Sequence, residues 1–284
     1  MFRLSLFLIA ILNTCLAQAA SEADWCAAIG KRLHSVPASQ CLKLALKSGG
    51  LSPQGHPLML RDIPATPTKL AARGVAATRP ARVLIVGGIH GDELTSAALV
   101  FRWLPWMSEP AAHPYHWHVI PVANPDGLLA NPPQRMNANG VDLNRNFATP
   151  DWAKDAQAYW RSKTGSDPRR FPGKAARSEA ETRWLEAEIE SFRPDVIISL
   201  HAPYGLLDYD GPARQPRRFG QLSLNRLGVY PGSLGNYGGV HKNLPVVTIE
   251  LPNANAMPSP REQRQIWQDM IEWLDKNIQG KNLS

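Results

Sequence analysis

The sequence predicts an α/β fold: a mixed, mostly parallel sheet flanked by helices, in a single domain. Three observations carry this. Short apolar runs alternate with segments of helical periodicity along the chain. The segment RVLIV at 82–86 holds a continuous apolar run, Val83 to Val86, as expected of a strand buried on both faces. Three such runs lead directly, or through a short turn, into His or Glu, which suits a ligand site outside the carboxyl ends of the strands. The 284 residues suffice for one sizeable core. A hydrophobic content of 44% with 19% charged residues excludes a disordered chain and a coiled coil.

The elements follow in order. Arg3, a mostly apolar stretch at 4–16 and Ala17-Gln18-Ala19 form a secretory signal peptide over 1–19, too short to span a bilayer comfortably. The protein is therefore expected to be exported, to the periplasm or the medium. No later stretch reaches transmembrane length, so no stable membrane association is expected after cleavage. Cleavage removes Cys15 and leaves Cys26 and Cys41, an even pair that in an exported protein predicts a disulfide. Closing a loop of about 15 residues contributes about 3 kcal/mol in the chain-entropy model. If the chain stays inside the cell, two buried thiols are the better expectation.

Residues 20–60 read as an N-terminal unit: a helical segment at 21–48 with both cysteines, a turn at Gly49, Gly50 and Pro53, then a short edge strand at 57–62. Residues 64–80, rich in Pro, Ala and Thr, form an exposed connection. Strand 82–86 ends at Gly87-Gly88, and 93–103 reads as a helix. Residues 118–122 (HVIPV) are a strand, followed by the turn signal Asn124-Pro125-Asp126-Gly127. The stretch 131–177 has weak periodicity and a length typical of functional loops. Ser178 and Glu181 form a capping box before a helix with Leu185, Ile189 and Phe192 on one face; Arg193-Pro194 stops it. Residues 196–200 (VIISL) and 246–249 (VVTI) are strands. Residues 261–278 form an amphipathic helix with Ile266, Met270, Ile271 and Leu274 at helical spacing.

A net charge of +7 suits an anionic partner such as cell wall. Lys and Arg do not cluster with interleaved aromatics, so nucleic acid is not an expected partner.

The chemistry gathers at three strand ends. His90 and Glu93 are three residues apart at a strand-to-helix turn, which puts both side chains on one side. His201 directly follows VIISL. Together they make a His₂Glu set with a fourth position for water, the pattern of a catalytic rather than a structural zinc. Each residue alone is as readily a surface turn or a hydrogen-bonded histidine. Glu250 follows VVTI, where a carboxylate is costly unless paired or at work. Beside a metal-bound water it suits a general base.

Gly140 to Phe147 reads GVDLNRNF. With the HGDE turn, the NPDG turn and the strands ending in His201 and Glu250, this resembles the zinc carboxypeptidase family, over residues 87–251. The resemblance implies an α/β sandwich around a mixed sheet, one Zn²⁺, and a catalytic domain over 61–284. It implies His90, Glu93 and His201 as zinc ligands and Glu250 as general base. Asn144 and Arg145 would grip the substrate's free carboxylate, a task suited to the guanidinium fork. Asp142 would orient a ligand histidine, here His90. Arg135 would polarise the scissile carbonyl. A loop tyrosine before the glutamate matches Tyr230 or Tyr237, and the two stay open.

The segment after His201 and the stretch 171–182 resemble the bacterial murein peptide amidase branch, which cuts between γ-D-glutamate and meso-diaminopimelate. Asp208 or Asp210 would meet the second ammonium of that substrate. Alternatives are a general exported metallocarboxypeptidase on ordinary peptides, with a pocket at Ser233, Leu234 and Gly235; an inactive peptidoglycan-binding protein; and a deacylase of N-acyl amino acids. His113, His116, His118 and His241 are expected to be ordinary histidines rather than ligands.

Overall fold

The computed structural model describes residues 21–66, 79–212 and 214–278. The expected signal peptide at 1–19 and most of the connection at 64–80 lie outside the described residues. The seven-stranded sheet has the order β1-β2-β4-β3-β5-β9-β6. Its four central strands, β4 (Tyr115–Ile120), β3 (Ala81–Val86), β5 (Val196–His201) and β9 (Val246–Glu250), are parallel. β2 (Pro57–Ile63) and β6 (Leu206–Asp210) flank them antiparallel, and β1 (Lys47–Leu51) pairs antiparallel outside β2. β7 (Arg218–Phe219) and β8 (Leu222–Ser223) form a small separate ladder. The buried strands β3 and β5 are predominantly apolar, as suits a sheet covered on both faces.

Helices cover both faces. On one face lie α1 (Glu22–Arg32), α2 (Ala38–Leu42), α3 (Leu94–Trp103) and α7 (Pro260–Asn277). Their core centres on Trp103, Trp117 and Trp267, with ring centroids 5.3 and 5.5 Å from Trp267 to the other two. On the other face lies α6 (Ala180–Phe192), with Trp184, Leu185 and Ile189 against Leu84, Val86 and Ile197. Cys26 and Cys41 are disulfide-bonded with Cα atoms 5.6 Å apart, tying α1 to α2. Among the described residues no helix is long and apolar enough to cross a membrane.

Several local expectations are corrected. Gly49 and Gly50 lie within β1 rather than in a turn, because the Trp184 indole occupies the space a Cβ on Gly49 would fill. β1 is therefore the edge strand, and β2 is interior. β4 starts at Tyr115, three residues early, and ends before Pro121, which has no amide to donate to either neighbour. The long segment 131–177 contains a helix, α5 (Trp152–Lys163). No capping box forms at α6. Its N-cap is Glu179, while Ser178 Oγ donates to Glu179 Oε1 and Glu181 turns inward to accept from Asn137 Nδ2. Burial pushes the Glu181 carboxyl up to about 7. The NPDG signal opens a short helix, α4 (Pro125–Leu129), capped by Asn124 Oδ1 accepting from the Gly127 amide.

Candidate metal centre and substrate pocket

The carboxyl ends of β3, β5 and β9 converge. His201 ends β5 and lies in register with Glu250 at the end of β9. β3 leads through Gly87-Gly88 to His90, and Glu93 precedes α3. The turn needs glycine at position 91, where a Cβ would collide with the Gly127 carbonyl carbon and the Leu128 amide of α4.

His90 Nδ1 lies 2.7 Å from Glu93 Oε1 and 3.2 Å from His201 Nδ1. His201 Nδ1 is 3.0 Å from Glu93 Oε2. All three side chains are buried. Zinc–nitrogen and zinc–oxygen bonds of about 2.0–2.2 Å place tetrahedral ligand atoms about 3.3–3.5 Å apart. The observed separations approach this. Two imidazole nitrogens and a carboxylate oxygen converging on one point are a donor set that fits zinc. Among the described residues this is the single group of three or more such side chains whose ligand atoms converge.

The far ring nitrogens are fixed as metal-binding histidines require. His90 Nε2 is 3.1 Å from Asp142 Oδ1, and His201 Nε2 is 3.0 Å from Ser199 Oγ. Asp142 also accepts from the Asn144 amide and from Arg135 Nε, at 3.0 Å each. Burial opposes its charge, yet Arg135 and His90 hold its carboxyl well below the usual range. Burial likewise opposes the Glu93 carboxylate, and His90 and His201 hold it well below its ordinary value. Arg135 Nη1 lies 3.4 Å from Glu93 Oε1, beside the ligand cluster.

Glu250 is buried, and its Oε2 has no hydrogen-bond partner among the described residues. Burial raises its pKa. Such an oxygen, facing a polar cleft, is available to a proton.

One pocket is lined by His90, Glu93, His201, Arg135, Glu250, Asn144, Arg145, Asp208, Asp210 and Tyr230. Asn144 Oδ1 accepts from the Leu234 amide at 2.8 Å, which fixes its side chain. The buried Arg145 guanidinium lies 4.5 Å from the Tyr230 ring centroid, and its Nε has no partner among the described residues. Tyr230 donates to the Leu227 carbonyl. Tyr237 is excluded from the pocket: it packs on Phe147 in the second core and donates to Glu190 Oε1. The cause is the π-helical turn Gly235–His241, which turns Tyr237 towards α6.

Asp208 and Asp210 share one face of β6. Asp208 Oδ1 accepts from the Tyr209 and Leu227 amides. Burial and the neighbouring Asp208 push the Asp210 carboxyl up to about 6. Sequence reasoning missed three contributors. Ser199 lies two residues before His201, on the same strand face, and that alternation was a usable signal. Tyr204 lines the pocket from a loop and Arg170 from a short 3₁₀ turn, Pro168–Arg170, and neither carries such a signal. His116 Nε2 and His118 Nδ1 approach Asp62 Oδ1 at 2.8 and 3.3 Å, and His118 Nε2 lies 3.0 Å from Glu188 Oε2. These are polar contacts linking β4, β2 and α6. His113 bonds the Ser108 carbonyl.

A buried His-Glu-His centre, an adjacent carboxylate with one unpartnered oxygen among the described residues and an arginine-lined cleft, on this sheet, define a metallopeptidase. The zinc carboxypeptidase profile matches residues 38–216, and the chain belongs to that family. Murein peptide amidase A of Vibrio campbellii is 34% identical over 185 residues, covering 62% of this chain and 71% of that protein. The Escherichia coli protein of the same name is 29% identical over 202 residues, covering 68% and 81%. A crystal structure of a murein-tripeptide amidase from Escherichia coli superposes with a TM-score of 0.54 at 28% identity, over 81% of this chain and 91% of that one. Carboxypeptidase A from Helicoverpa armigera shares the fold, with a TM-score of 0.59 at 19% identity over 80% and 66%.

Proposed function

We propose that this protein is an exported zinc amidase that cuts the γ-D-glutamyl–meso-diaminopimelate bond of peptidoglycan peptides. One observation carries the reading. The leaving-side pocket joins a carboxylate grip, Asn144 and Arg145, to two aspartates on β6, Asp208 and Asp210. An amino acid whose side chain ends in an ammonium and whose own carboxylate is free matches that arrangement. The likeness to murein peptide amidases supports it, and the leader pattern supports export.

His90, Glu93 and His201 would hold the zinc, which when bound supplies Lewis acidity and makes water nucleophilic near neutral pH. Glu250 Oε2 takes a proton from the attacking water and delivers it to the leaving amine. Arg135 donates to the oxygen of the scissile carbonyl as charge develops there, a role commonly worth several kcal/mol. Arg145 and Asn144 hold the leaving residue's carboxylate, and Tyr230, stacked on Arg145, covers it. Asp142 and Ser199 orient the two ligand histidines. Water and amide become a carboxylic acid and a free amine.

The test is cleavage of L-Ala-γ-D-Glu-meso-diaminopimelate beside plain peptides, with and without a chelator and with Glu250→Gln. Chelator-sensitive release of diaminopimelate, lost in the variant, is expected. Cleavage of plain peptides alone would replace the reading with a general carboxypeptidase. Zinc-loaded protein that cleaves nothing would leave a peptidoglycan-binding role.

A further inference from the structure

A second cleft adjoins the pocket. The two share Glu93, Arg135, Arg170 and Tyr204, and the second continues past the metal-binding residues to Arg169, Asp92 and Pro203. The carboxylate grip and the β6 aspartates line only the first. A substrate with its leaving residue there and its scissile carbonyl at the ligand cluster must place its acyl half in the second cleft.

The cations of this cleft are not equivalent. Arg169 Nη2 donates to Asp92 Oδ2 at 2.7 Å and is committed. Arg135 is committed to Asp142 and the ligand cluster. Arg170 is not. Its ion pair with Asp167 is one contact at 3.6 Å, beyond good hydrogen-bond distance, and its guanidinium makes no side-chain hydrogen bond among the described residues. Its backbone is nevertheless held firmly. The next residue, Phe171, accepts the Asp142 amide through its carbonyl and packs edge-on to Trp160, centroids 5.0 Å apart. A fixed backbone carrying an uncommitted guanidinium at the boundary of the clefts is an arrangement for a carboxylate.

We infer that Arg170 is a specificity-determining residue that binds a carboxylate on the acyl side of the scissile bond. The inference deepens the amidase reading and rests on it for substrate orientation. In a γ-linked glutamyl amide, the free α-carboxylate sits a short aliphatic chain away from the scissile carbonyl. The side-chain carboxylate of an α-linked glutamyl amide sits equally far along its own chain. Arg170 recognises the shared group, whichever linkage supplies it.

Four substrates with the same diaminopimelate leaving residue test this. Their acyl residues are γ-D-glutamyl, its α-carboxamide, α-L-glutamyl and α-L-glutaminyl. The full-length protein is expected to favour the carboxylate member of a cleaved pair by about tenfold in kcat/KM, the low end for a charge-assisted hydrogen bond. Arg170→Gln should bring that ratio towards one, and Arg170→Lys should restore part of it. An unchanged ratio in Arg170→Gln, or equal losses on both members, overturns the inference, the latter placing Arg170 on the leaving side. Preference among α-linked substrates without γ-linked cleavage would remove the amidase reading and leave the subsite. Cleavage of the γ-linked pair without preference would do the reverse. Failure to cleave any of the four would remove both.

Discussion

Asp210 should reveal itself as a residue that costs stability. It is half-buried on β6, beside Asp208, and its carboxyl is pushed up to about 6 from an ordinary 3.8, by burial first and by Asp208 second, against a pull from Arg226. An acid whose folded pKa exceeds its unfolded value folds best while protonated. Its contribution is therefore neutral below pH about 4, turns unfavourable as pH rises from there to about 6, and stays so above. The full shift corresponds to about 3 kcal/mol at neutral pH. Water reaching the exposed part reduces this to about 1–2 kcal/mol. Asp210→Asn should therefore raise Tm by about 3–6 °C at pH 7.5 in a domain of this size and leave it nearly unchanged at pH 4. Thermal denaturation of both proteins at the two pH values measures it. In parallel, the proposed preference for a leaving residue that carries an ammonium should climb between pH 5 and 7 and shrink in the variant, where Asp208 alone remains. An equal Tm shift at both pH values, or a lower Tm at both, would refute an electrostatic cost at this carboxylate.

Asp142→Asn should weaken zinc binding by about 10–100-fold, because the amide orients His90 poorly and leaves Arg135 Nε without its acceptor; competition with a chelating dye measures the affinity. Gly91→Ala should destabilise by more than about 3 kcal/mol, since the collision is with the α4 backbone rather than a flexible side chain; denaturant unfolding reads it, and a loss under about 1 kcal/mol would show that the loop yields. The two tyrosines separate by kinetics. Tyr230→Ala should raise KM through lost cover of Arg145, while Tyr230→Phe keeps the ring and should stay near the wild-type KM; Tyr237→Phe should leave kcat/KM at the wild-type value, removing only a hydrogen bond to Glu190.

What could be read in advance follows a physical division. Strands β3, β5 and β9 are legible because burial on both faces makes them predominantly apolar, so the His or Glu that ends or follows each run stands out. His201 and Glu250 are singled out that way, and His90 with Glu93 by spacing at a turn. β1 and β6 were not legible as strands. KSGGL reads as a turn until Trp184 explains its glycines, and LLDYD reads as a loop because its aspartates face a pocket rather than a core. Tyr230 and Tyr237 share one Gly-rich stretch, and only the π-helical turn separates pocket from core. Arg170 is the extreme case, one arginine among several on a long segment. Its significance lies in what its guanidinium does not touch, and that is a property of three-dimensional placement alone. The reaction centre is written in residues too costly to occur there by accident. The residues proposed to govern substrate choice are ordinary wherever they occur, so Asp210 and Arg170 must be tested by selectivity rather than by loss of activity.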